Sequence, residues 1–441
     1  MSKSHCEIKY SFWLLFTVLS AAVWAQQDDF SNFQGHLVSK IVVVGNEHTK
    51  EIVILREMKT KVGGKFSVDA IEQDRKRIQN LLLFTRVEIY PARSGDQEIG
   101  LIIVVSERWH FFPYPLFFRN ERSWDKWSYG AGVLHNNIRG RNNKLLAEMW
   151  LGYNPGGLFS YVNPWFGGEN KYYYKIQVYS MMLKSKSVQY QPRFDELHHG
   201  FSYTFGKRFG YHTYVTAMVG YDYIRYPDEN KFLLPSGKSW QHAPMFGIGF
   251  RYDTRDLYEY PRNGWFFEAY AKETTYPKQM DYMQLGADIR RYIRIYKNVS
   301  LAVRGAADFS RGKIPVFSRI FLGYKERVRG QFYTQLEGEN RAIGGVELRF
   351  PLLPTRYIDL SYPSSILGHY SQNLPFGISA GLFVDTGAVW YQRAKNIDPE
   401  YMTGFGGGLH FHVPYADVLR VEYAFDPKLN GQLVIDIEVA F

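Results

Sequence analysis

The sequence lacks the features that identify helical membrane proteins, disulfide-stabilised proteins and nucleic-acid-binding proteins. After residue 25 there is no apolar run of about 20 residues, the length that a transmembrane helix needs. The 441 residues contain one cysteine, Cys6, which excludes a framework of several disulfides. The formal net charge is +10, but lysine and arginine are dispersed and form no basic cluster of about 5–8 residues, so the charge does not indicate nucleic acid.

Aromatic residues and glycine, in contrast, are abundant. The chain has 34 Tyr, 32 Phe and 39 Gly, and aromatic residues make up 17% of it. Its mean hydropathy is nevertheless only −0.31. Many half-polar strands produce this combination, because each strand has one apolar and one polar face. The composition therefore indicates an outer-membrane barrel, and it favours phosphate-rich lipid head groups as the acidic neighbours of the basic chain.

The first 25 residues predict a secretory signal peptide. Lys3 and Lys9 form its basic start, Phe12–Ala22 its apolar centre and Val23–Ala25 its small-residue exit. A membrane anchor is the alternative, but the apolar stretch is short for one. Cleavage after this segment would remove Cys6. The mature chain would then carry neither a disulfide nor a lipoprotein anchor.

Residues 36–108 predict a small soluble domain with the element order βααββ. Thr49 and Ser67 are placed to cap two helices with apolar stripes, and Gly63-Gly64 separates these helices. About 70 residues are enough for one small core. An unrelated α+β domain is the alternative. The expected elements are the strand Ser39–Val44, the helices Lys50–Lys59 and Ser67–Leu83, and the strands Arg86–Ala92 and Glu98–Ser106.

From residue 112 to residue 441 the hydrophobic period changes to two, which predicts strands. In Gln284–Ile295 apolar residues alternate with mostly polar ones, and only Arg291 interrupts the apolar face. The runs Leu301–Ser310 and Leu419–Asp426 alternate in the same way. A soluble sandwich would also alternate, but the export signal, the aromatic excess and a length of about 330 residues favour a transmembrane barrel. At about 20 residues per strand and connection, this length predicts about 16 antiparallel strands.

The chain ends on one more alternating strand. Leu433, Ile435, Ile437, Val439 and the terminal Phe441 occupy one face of it. A last strand that ends on phenylalanine looks like the C-terminal signal by which outer-membrane barrels are recognised during their assembly. The pattern therefore agrees with the barrel prediction for residues 112–441.

Several motifs resemble a known family. The small domain contains Gly45-Asn46, Thr49, Leu55-Arg56-Glu57, Gly64-Lys65-Phe66, Asn80-Leu81, Leu83-Phe84, Val87 and Val105-Ser106-Glu107-Arg108. The longer region contains Gly130-Ala131-Gly132-Val133 with Asn136–Asn143, Tyr252–Asp256 with Pro261–Trp265, and Gly404–Leu409 with Pro414 and Leu419–Ala424. The first set resembles a POTRA domain, a periplasmic chaperone-like module. The second resembles the hairpins of the BamA/TamA family of outer-membrane proteins. The resemblance covers the chain from the POTRA domain to the C-terminus.

A loop motif, ERVRGQFY at residues 326–333, places an arginine beside a glycine between two predicted strand regions. An arginine carried into a barrel keeps its charge and therefore needs a carboxylate partner. The motif resembles the family's Val-Arg-Gly-aromatic loop, which folds back into the barrel lumen. Gln331 separates the glycine from the aromatic residue here. The residues that match the family's loop are Val328, Arg329, Gly330 and Phe332.

Two carboxylates are the predicted partners of Arg329. Glu347 alternates with the apolar residues of its strand, and Asp385 alternates with those of the strand that follows, so both should face the lumen. The resemblance implies that acids at these two places anchor the loop arginine. The alternative is that Arg329 is a solvated loop residue.

Neither catalysis nor metal binding is expected. Gly377–Gly381 matches the G-x-S-x-G motif of a nucleophile elbow, but the residues after it continue a strand instead of starting a helix. Its small residues instead leave lumen space for an inserted loop. Gly404–Gly408 is followed by neither a lysine nor a helix, so it is no phosphate-binding loop. Four histidines are also candidates as metal ligands. In the sequence they lack the carboxylate or cysteine partners that a metal site needs; they are His198, His199, His410 and His412.

The resemblance implies assembly, insertion or translocation of other proteins at the bacterial outer membrane, with no enzymatic activity and no cofactor. The expected mechanism is strand templating at a lateral seam, where unpaired edges accept a client strand. Gly130 and Gly132 would weaken a first strand expected near Lys126–His135, and Phe441 would end the last one. The expected partners are outer-membrane lipids, client outer-membrane or secreted proteins, and periplasmic or lipoprotein partners of the POTRA domain.

Three other functions remain as alternatives. A two-partner secretion pore would usually have a plug helix and two POTRA domains, whereas about ten residues separate the signal from the POTRA domain here. A lipid or polysaccharide transporter is the second alternative, and a barrel that anchors a partner complex is the third. The sequence does not separate these last two from an insertion factor.

Overall fold

The computed structural model describes residues 30–120, 123–276, 280–360, 368, 370–392, 399–415 and 418–437. The predicted signal peptide and Phe441 lie outside these ranges. Among the described residues, no helix is both long enough and apolar enough to cross a membrane.

The N-terminal unit has the predicted βααββ order. Its three-stranded sheet has the order β1–β3–β2, with β1 parallel to β3 and β2 antiparallel to β3. The two helices cover this sheet, and Ile54, Ile78 and Ile103 are fully buried between them. Ser67 caps the second helix by accepting a hydrogen bond from the Ala70 N–H (3.5 Å). The elements are β1 Leu37–Val44, α1 Glu51–Leu55, α2 Val68–Gln79, β2 Phe84–Arg93 and β3 Glu98–Glu107, after a short 3₁₀ turn at Ser31–Phe33.

Helix α1 is shorter than the sequence predicts, because a side chain of α2 captures the backbone that follows it. Asp74 is fully buried and accepts hydrogen bonds from the Lys59 N–H (2.8 Å) and the Thr60 N–H (3.0 Å). These donors are thus satisfied by a carboxylate instead of by helix carbonyls. The expected helix to Lys59 therefore ends at Leu55.

The C-terminal region forms the predicted barrel wall, a single sheet of 16 strands. All its neighbouring strands pair antiparallel, and a separate short hairpin, β15–β16, lies in the connection between β14 and β17. The wall strands are β4 Phe111–Arg119, β5 Trp127–Ile138, β6 Asn143–Gly152, β7 Gly156–Phe166, β8 Tyr172–Lys184, β9 Asp195–Phe209, β10 Thr213–Arg225, β11 Trp240–Asp253, β12 Gly264–Tyr276, β13 Met280–Tyr296, β14 Val299–Gly312, β17 Asn340–Ile358, β18 Leu374–Trp390, β19 Glu400–His412, β20 Leu419–Phe425 and β21 Gly431–Ile437. The hairpin strands are β15 Ile320–Leu322 and β16 Leu336–Gly338.

The two faces of the wall differ as the alternation predicts. On β18, Leu382 and Val384 are 55% and 54% exposed, whereas Phe383 and Asp385 are buried. The apolar residues therefore face outward and the acid faces inward. Arg291, the one charge on an apolar face of β13, donates to the Gly264 carbonyl (3.2 Å) and lies 4.8 Å from the ring centre of Trp265.

The prediction of the first wall strand is wrong. The sheet begins at β4, so Gly130 and Gly132 lie on the second strand, β5. Pro113 and Pro115 lie within β4, and an edge strand tolerates proline. Gly132 has a packing role instead, since a Cβ there would lie 2.6 Å from the ring of Tyr114. At Gly130 a Cβ would likewise meet the backbone of β6.

Candidate functional site

The connection from β14 to β17, residues 313–339, folds into the barrel, and we call it the lumen loop. Val328 and Arg329 are buried there. Val328 packs among apolar side chains of β17, β18 and β19. Gly330 has a φ of 87°, and a Cβ at this position would lie 2.4 Å from the Phe425 carbonyl oxygen on β20. Glycine therefore permits both the backbone conformation and the close approach of the loop to the wall.

Arg329 contacts three carboxylates from three strands. Its Nε and Nη2 donate to the two oxygens of Asp385 (2.6 and 2.8 Å), and its Nη1 donates to Glu347 (2.6 Å) and Glu422 (3.0 Å). The guanidinium carbon lies 3.5 Å from the ring centre of Phe383. The structure thus places Arg329 against both predicted acids and against a third, Glu422. Glu422 alternates with apolar neighbours on β20, which is the sequence signal that could have identified it.

A second arginine extends this cluster towards the periplasmic side. Arg349 Nε donates to Glu347 (2.6 Å), and its Nη1 donates to the Pro261 carbonyl (3.2 Å). Tyr260 lies against Arg349, with 4.7 Å between the guanidinium carbon and the ring centre, and its hydroxyl contacts Nδ1 of His410 (2.9 Å). Tyr260 and Pro261 belong to the turn between β11 and β12, so this periplasmic turn also enters the lumen.

Two of the four histidines have carboxylate partners that the sequence did not indicate. His410 Nε2 lies 3.2 Å from Glu422, and His198 Nε2 lies 3.1 Å from Glu196. His410, Glu347 and Glu422 offer ligand atoms within 4.8 Å of one another. The two carboxylates, however, already accept hydrogen bonds from arginines. The described part of the chain thus uses these groups in ion pairs.

The G-x-S-x-G sequence lies on a straight strand, as its continuation in the sequence predicts. Ser379 is within β18, which runs without a break from Leu374 to Trp390. Its hydroxyl contacts Nε2 of His412 on the neighbouring strand (2.9 Å). A nucleophile elbow requires a sharp turn from strand to helix, so the local geometry is not that of a hydrolase.

The lumen loop also holds the last strand from the inside. Arg327 forms an ion pair with Asp436 on β21, and the same carboxylate accepts from Arg420 (3.2 Å). The Phe332 N–H donates to the side chain of Gln432 (2.9 Å). Phe332, the aromatic residue of the loop motif, therefore lies next to β21. The loop contacts β17, β18, β20 and β21 together.

The N-terminal unit docks against the periplasmic turns of the barrel. Glu57 receives two hydrogen bonds from Arg208 (2.7 Å each), and both side chains are buried. The Lys50 N–H donates to the Gly140 carbonyl (2.9 Å). Asn80 holds the turn that carries Tyr260, because its side-chain oxygen accepts from the Tyr258 N–H (2.9 Å) and its side-chain nitrogen donates to the Asp256 carbonyl (3.2 Å).

Three histidines meet where the two units join. The rings of His48 and His110 are stacked with centres 4.0 Å apart, and those of His110 and His135 are 5.2 Å apart. Glu107 and Tyr370 are the other ionisable groups beside His110. Burial, together with the charges of His48 and His135, lowers the pKa of His110 below its ordinary value of 6.5, although Glu107 opposes this effect.

The first wall strand lacks some of the backbone N–H donors that would close the barrel. The Asn136 N–H donates to the His110 carbonyl (2.8 Å), and the register of the ladder places every even-numbered residue of β4 in such a bonded pair with β5. The odd-numbered residues therefore direct their backbone groups to the other side, towards the last strand. Pro113 and Pro115 are among them and have no N–H.

The last strand, unlike β4, has both backbone donors and backbone acceptors along its free edge. The Asp426 N–H donates to the Asn430 carbonyl (3.2 Å), so the even-numbered residues of β21 bond to β20. Leu433 and Ile435 consequently direct both their N–H and their C=O groups to the same gap. Within the described residues no ladder pair joins β4 to β21, which lie at the two ends of the strand order. We call this gap the seam.

A barrel with a soluble domain docked beneath it and an arginine loop inside it matches one class of outer-membrane proteins. The model of the Omp85 superfamily domain matches residues 137–432, and the POTRA model, described as a surface antigen variable number repeat, matches residues 36–108. The chain therefore belongs to the Omp85 superfamily and is of the BamA/TamA type with one POTRA domain. It lies in the outer membrane, with the POTRA domain in the periplasm, as predicted.

Individual relatives are distant. The outer membrane protein assembly factor BamA of Nitratidesulfovibrio vulgaris is 22% identical over 416 residues, which are 88% of this chain and 48% of the relative. The chain thus spans about half the length of that protein. The crystal structure of BamA from Haemophilus ducreyi lacking POTRA domains 1–3 has a TM-score of 0.53 at 17% identity, with 91% of this chain and 83% of that one covered. CdiB from Escherichia coli has a TM-score of 0.51 at 10% identity, with 98% and 96% covered. These two similarities concern the fold.

The cluster around Arg329 leads to a first prediction. Arg329→Ala should leave the barrel folded but release the lumen loop, at a cost of about 3–5 kcal/mol, because buried Asp385 loses its cation. Asp385→Ala should have a smaller effect of the same kind, because Arg329 keeps Glu347 and Glu422. A cysteine at Val328 reports the opening through its rate of thiol modification. The double variant should cost little more than Arg329→Ala alone, since that change already removes the contact with Asp385.

Two further variants test this interpretation. Arg311→Ala removes an exposed arginine at the end of β14 and should leave the labelling of the Val328→Cys reporter unchanged. Heat-modifiable migration on a gel verifies that each barrel is folded. Simple additivity of the Arg329 and Asp385 effects would contradict the pairing.

The histidine cluster predicts that docking of the POTRA domain weakens in acid. A histidine whose pKa is lowered by docking binds fewer protons in the docked form, so docking loses stability as the pH falls from 6.5 towards the lowered pKa. Hydrogen exchange at the Lys50 amide, corrected for its intrinsic pH dependence, should accelerate across that range. His110→Phe keeps a ring but no titration, and it should reduce this acceleration. His36→Gln, on the exposed start of the domain, serves as the control, and an unchanged profile in His110→Phe would disprove the assignment.

Proposed function

We propose that the protein inserts other proteins into the outer membrane, or translocates them across it, by offering unpaired backbone groups at the seam. Client outer-membrane or secreted proteins are its partners, and outer-membrane lipids surround its wall. Membership of the Omp85 superfamily and the BamA-like fold support assembly or secretion in general terms. Ordering a client strand requires backbone hydrogen bonds, and it requires neither a nucleophile nor a cofactor.

The observation that carries the proposal is the pair of strand edges at the seam. A closed barrel satisfies every backbone group within its ladders, because hydrocarbon offers no alternative partners. The edge of β4 lacks two donors at Pro113 and Pro115, so a ladder between β4 and β21 remains incomplete there. An incomplete ladder costs less to open than a complete one, which suits a wall that must admit a strand.

The same edges specify where a client strand pairs. Leu433 and Ile435 of β21 direct both a donor and an acceptor to the seam, whereas Pro113 and Pro115 of β4 direct only acceptors. Proline on an edge also discourages strand addition. We therefore expect β21, which has the more complete edge, to be the template for the incoming strand, and β4 to be the strand that moves away from it.

The POTRA domain supplies a second edge in the periplasm. Its sheet order leaves β1 and β2 at the two sides, and Gly63–Phe66 covers only the first residues of β1. The part of β1 from Lys40 to Val44 can accept an extended segment of a client or of a periplasmic or lipoprotein partner. Capture at this edge would bring a client close to the barrel.

A disulfide across the seam tests the function. One cysteine in β4 and one in β21, tried in several registers with Cα atoms within about 7 Å, should oxidise in a chain whose mature form is expected to have no other cysteine. Insertion of a test barrel into liposomes should stop after oxidation and recover after reduction. The Phe117→Cys/Tyr129→Cys pair joins directly opposed residues of β4 and β5 and is a matched bridge that leaves the seam free. Full activity of the bridged seam would overturn the proposal in favour of a pore or transporter that works through the lumen.

The prolines of β4 give a separate prediction. Replacing Pro113 and Pro115 with threonine restores two donors at the seam, and each added hydrogen bond should stabilise the closed wall by about 0.5–1.5 kcal/mol. Client insertion should therefore slow, and the temperature at which the folded barrel loses its gel mobility should rise. Pro244→Thr, on the eighth wall strand, should change neither quantity. Faster insertion by the double threonine variant would contradict the role given to the prolines.

A further inference from the structure

A cavity of about 620 Å³ lies between the docked POTRA domain and the inner wall formed by β6 to β12. It is separate from the Arg329 cluster. Trp165, Tyr173 and Tyr214 contribute aromatic surface to it, and side chains from both units line it. Apolar walls lower the effective dielectric constant, so a charge that faces the cavity interacts strongly with any charge brought into it.

The cavity has an excess of positive charge. Seven lysine and arginine side chains line it, against three carboxylates. Two of these acids are already engaged, because Glu57 binds Arg208 with both oxygens and Asp253 binds Arg255 with both oxygens. Cations outnumber the available acids, so an anion is the ligand that the cavity favours.

Arg56 is a cation with little compensation. It follows α1 on the side of the POTRA domain that faces the barrel, and its side chain is 10% exposed. Its Nε is buried and makes no hydrogen bond to any described residue. The nearest carboxylate oxygen belongs to Glu57, at 4.0 Å, and that oxygen already accepts from Arg208. A buried donor on a fixed charge is costly unless it has a partner.

Arg56 and Arg208 are brought together by Trp165. Their guanidinium carbons lie 4.6 and 5.5 Å from the centre of this ring, and one carboxylate, Glu57, serves both. The Nε of Arg208 is a second buried donor without a partner among the described residues. Burial and the positive charge of Arg208 lower the pKa of Arg56 to about 10, against the opposing charge of Glu57. An arginine with an unused donor beside a second arginine supplies the charge and the planar donors with which proteins bind oxyanions.

We propose that this cavity binds a phosphate group, either free or as the ester of a lipid head group, between Arg56 of the POTRA domain and Arg208 of the barrel. The phosphate oxygens would accept from the Arg56 guanidinium, beside Arg208, and neutralise the excess charge. Because the two arginines belong to different units, the bound group would also strengthen docking of the POTRA domain. This cavity lies away from the seam, so phosphate binding does not depend on how clients are inserted.

Phosphate binding to the full-length protein in a zwitterionic detergent tests the proposal. Calorimetric titration with inorganic phosphate should show a saturable site, and Arg56→Gln should weaken binding at least tenfold. Lys272→Gln, on the barrel wall of the cavity, should weaken it by a smaller factor without touching the POTRA domain. Arg75→Gln, an arginine of α2 paired with Glu72 outside the cavity, is the matched control and should bind normally. Hydrogen exchange at the Lys50 amide should slow when phosphate is bound.

Liposomes distinguish the two sources of the phosphate group. If the ligand is a lipid head group, vesicles containing phosphatidylglycerol should slow exchange at Lys50, vesicles of phosphatidylcholine should do so less, and Arg56→Gln should remove the difference. If the ligand is free phosphate, the two vesicles should behave alike and added phosphate should act in both. No saturable binding in detergent together with no Arg56-dependent effect in either vesicle would overturn the proposal. Equal phosphate binding by Arg56→Gln and the unaltered protein would do so as well.

Discussion

The contact of Arg329 with three buried carboxylates is the interaction on which the interior of this barrel depends. Glu347, Asp385 and Glu422 come from three different strands and would repel one another without a cation between them. Arginine suits this position, because its charge is permanent and its five N–H groups lie in one plane. The loop that carries it fills the lumen beside β17 to β21. The inward charges of that wall and the course of the loop are therefore set by the same contact.

The interior cluster does not end at the loop. Arg349 and His410 connect the acids to Tyr260, and the turn that carries Tyr260 is held by Asn80 of the POTRA domain. A continuous set of contacts thus runs from the periplasmic domain to the lumen loop. Each of these contacts is polar and directional, so a displacement of the POTRA domain would change the hydrogen bonds of the turn before it reached Arg329. This continuity gives a physical route by which the state of the domain could influence the wall.

Sequence periodicity was sufficient for the parts of the structure that depend on neighbouring residues. Alternation predicted strands from residue 112 onward and placed Glu347 and Asp385 on the lumen face, and the length of the region predicted about 16 strands. Periodicity did not predict the features that depend on residues far apart in the sequence. The first helix stops early because Asp74 takes the donors that follow it, and β4 was missed because its prolines are acceptable only at a sheet edge. Tyr260 could not be placed either, since nothing in a turn sequence specifies that it enters the lumen.

The lumen loop makes unequal contacts with the strands around it, so it holds the last strand less firmly than the strands before it. Arg329 binds β17, β18 and β20 through three buried carboxylates, whereas β21 is held by the ion pair of Arg327 with Asp436 and the hydrogen bond from Phe332 to Gln432. The side chain of Asp436 is also 21% exposed, so water weakens that ion pair. The loop therefore acts as a clamp on the wall up to β20. Its hold on β21, the strand that borders the seam, is weaker.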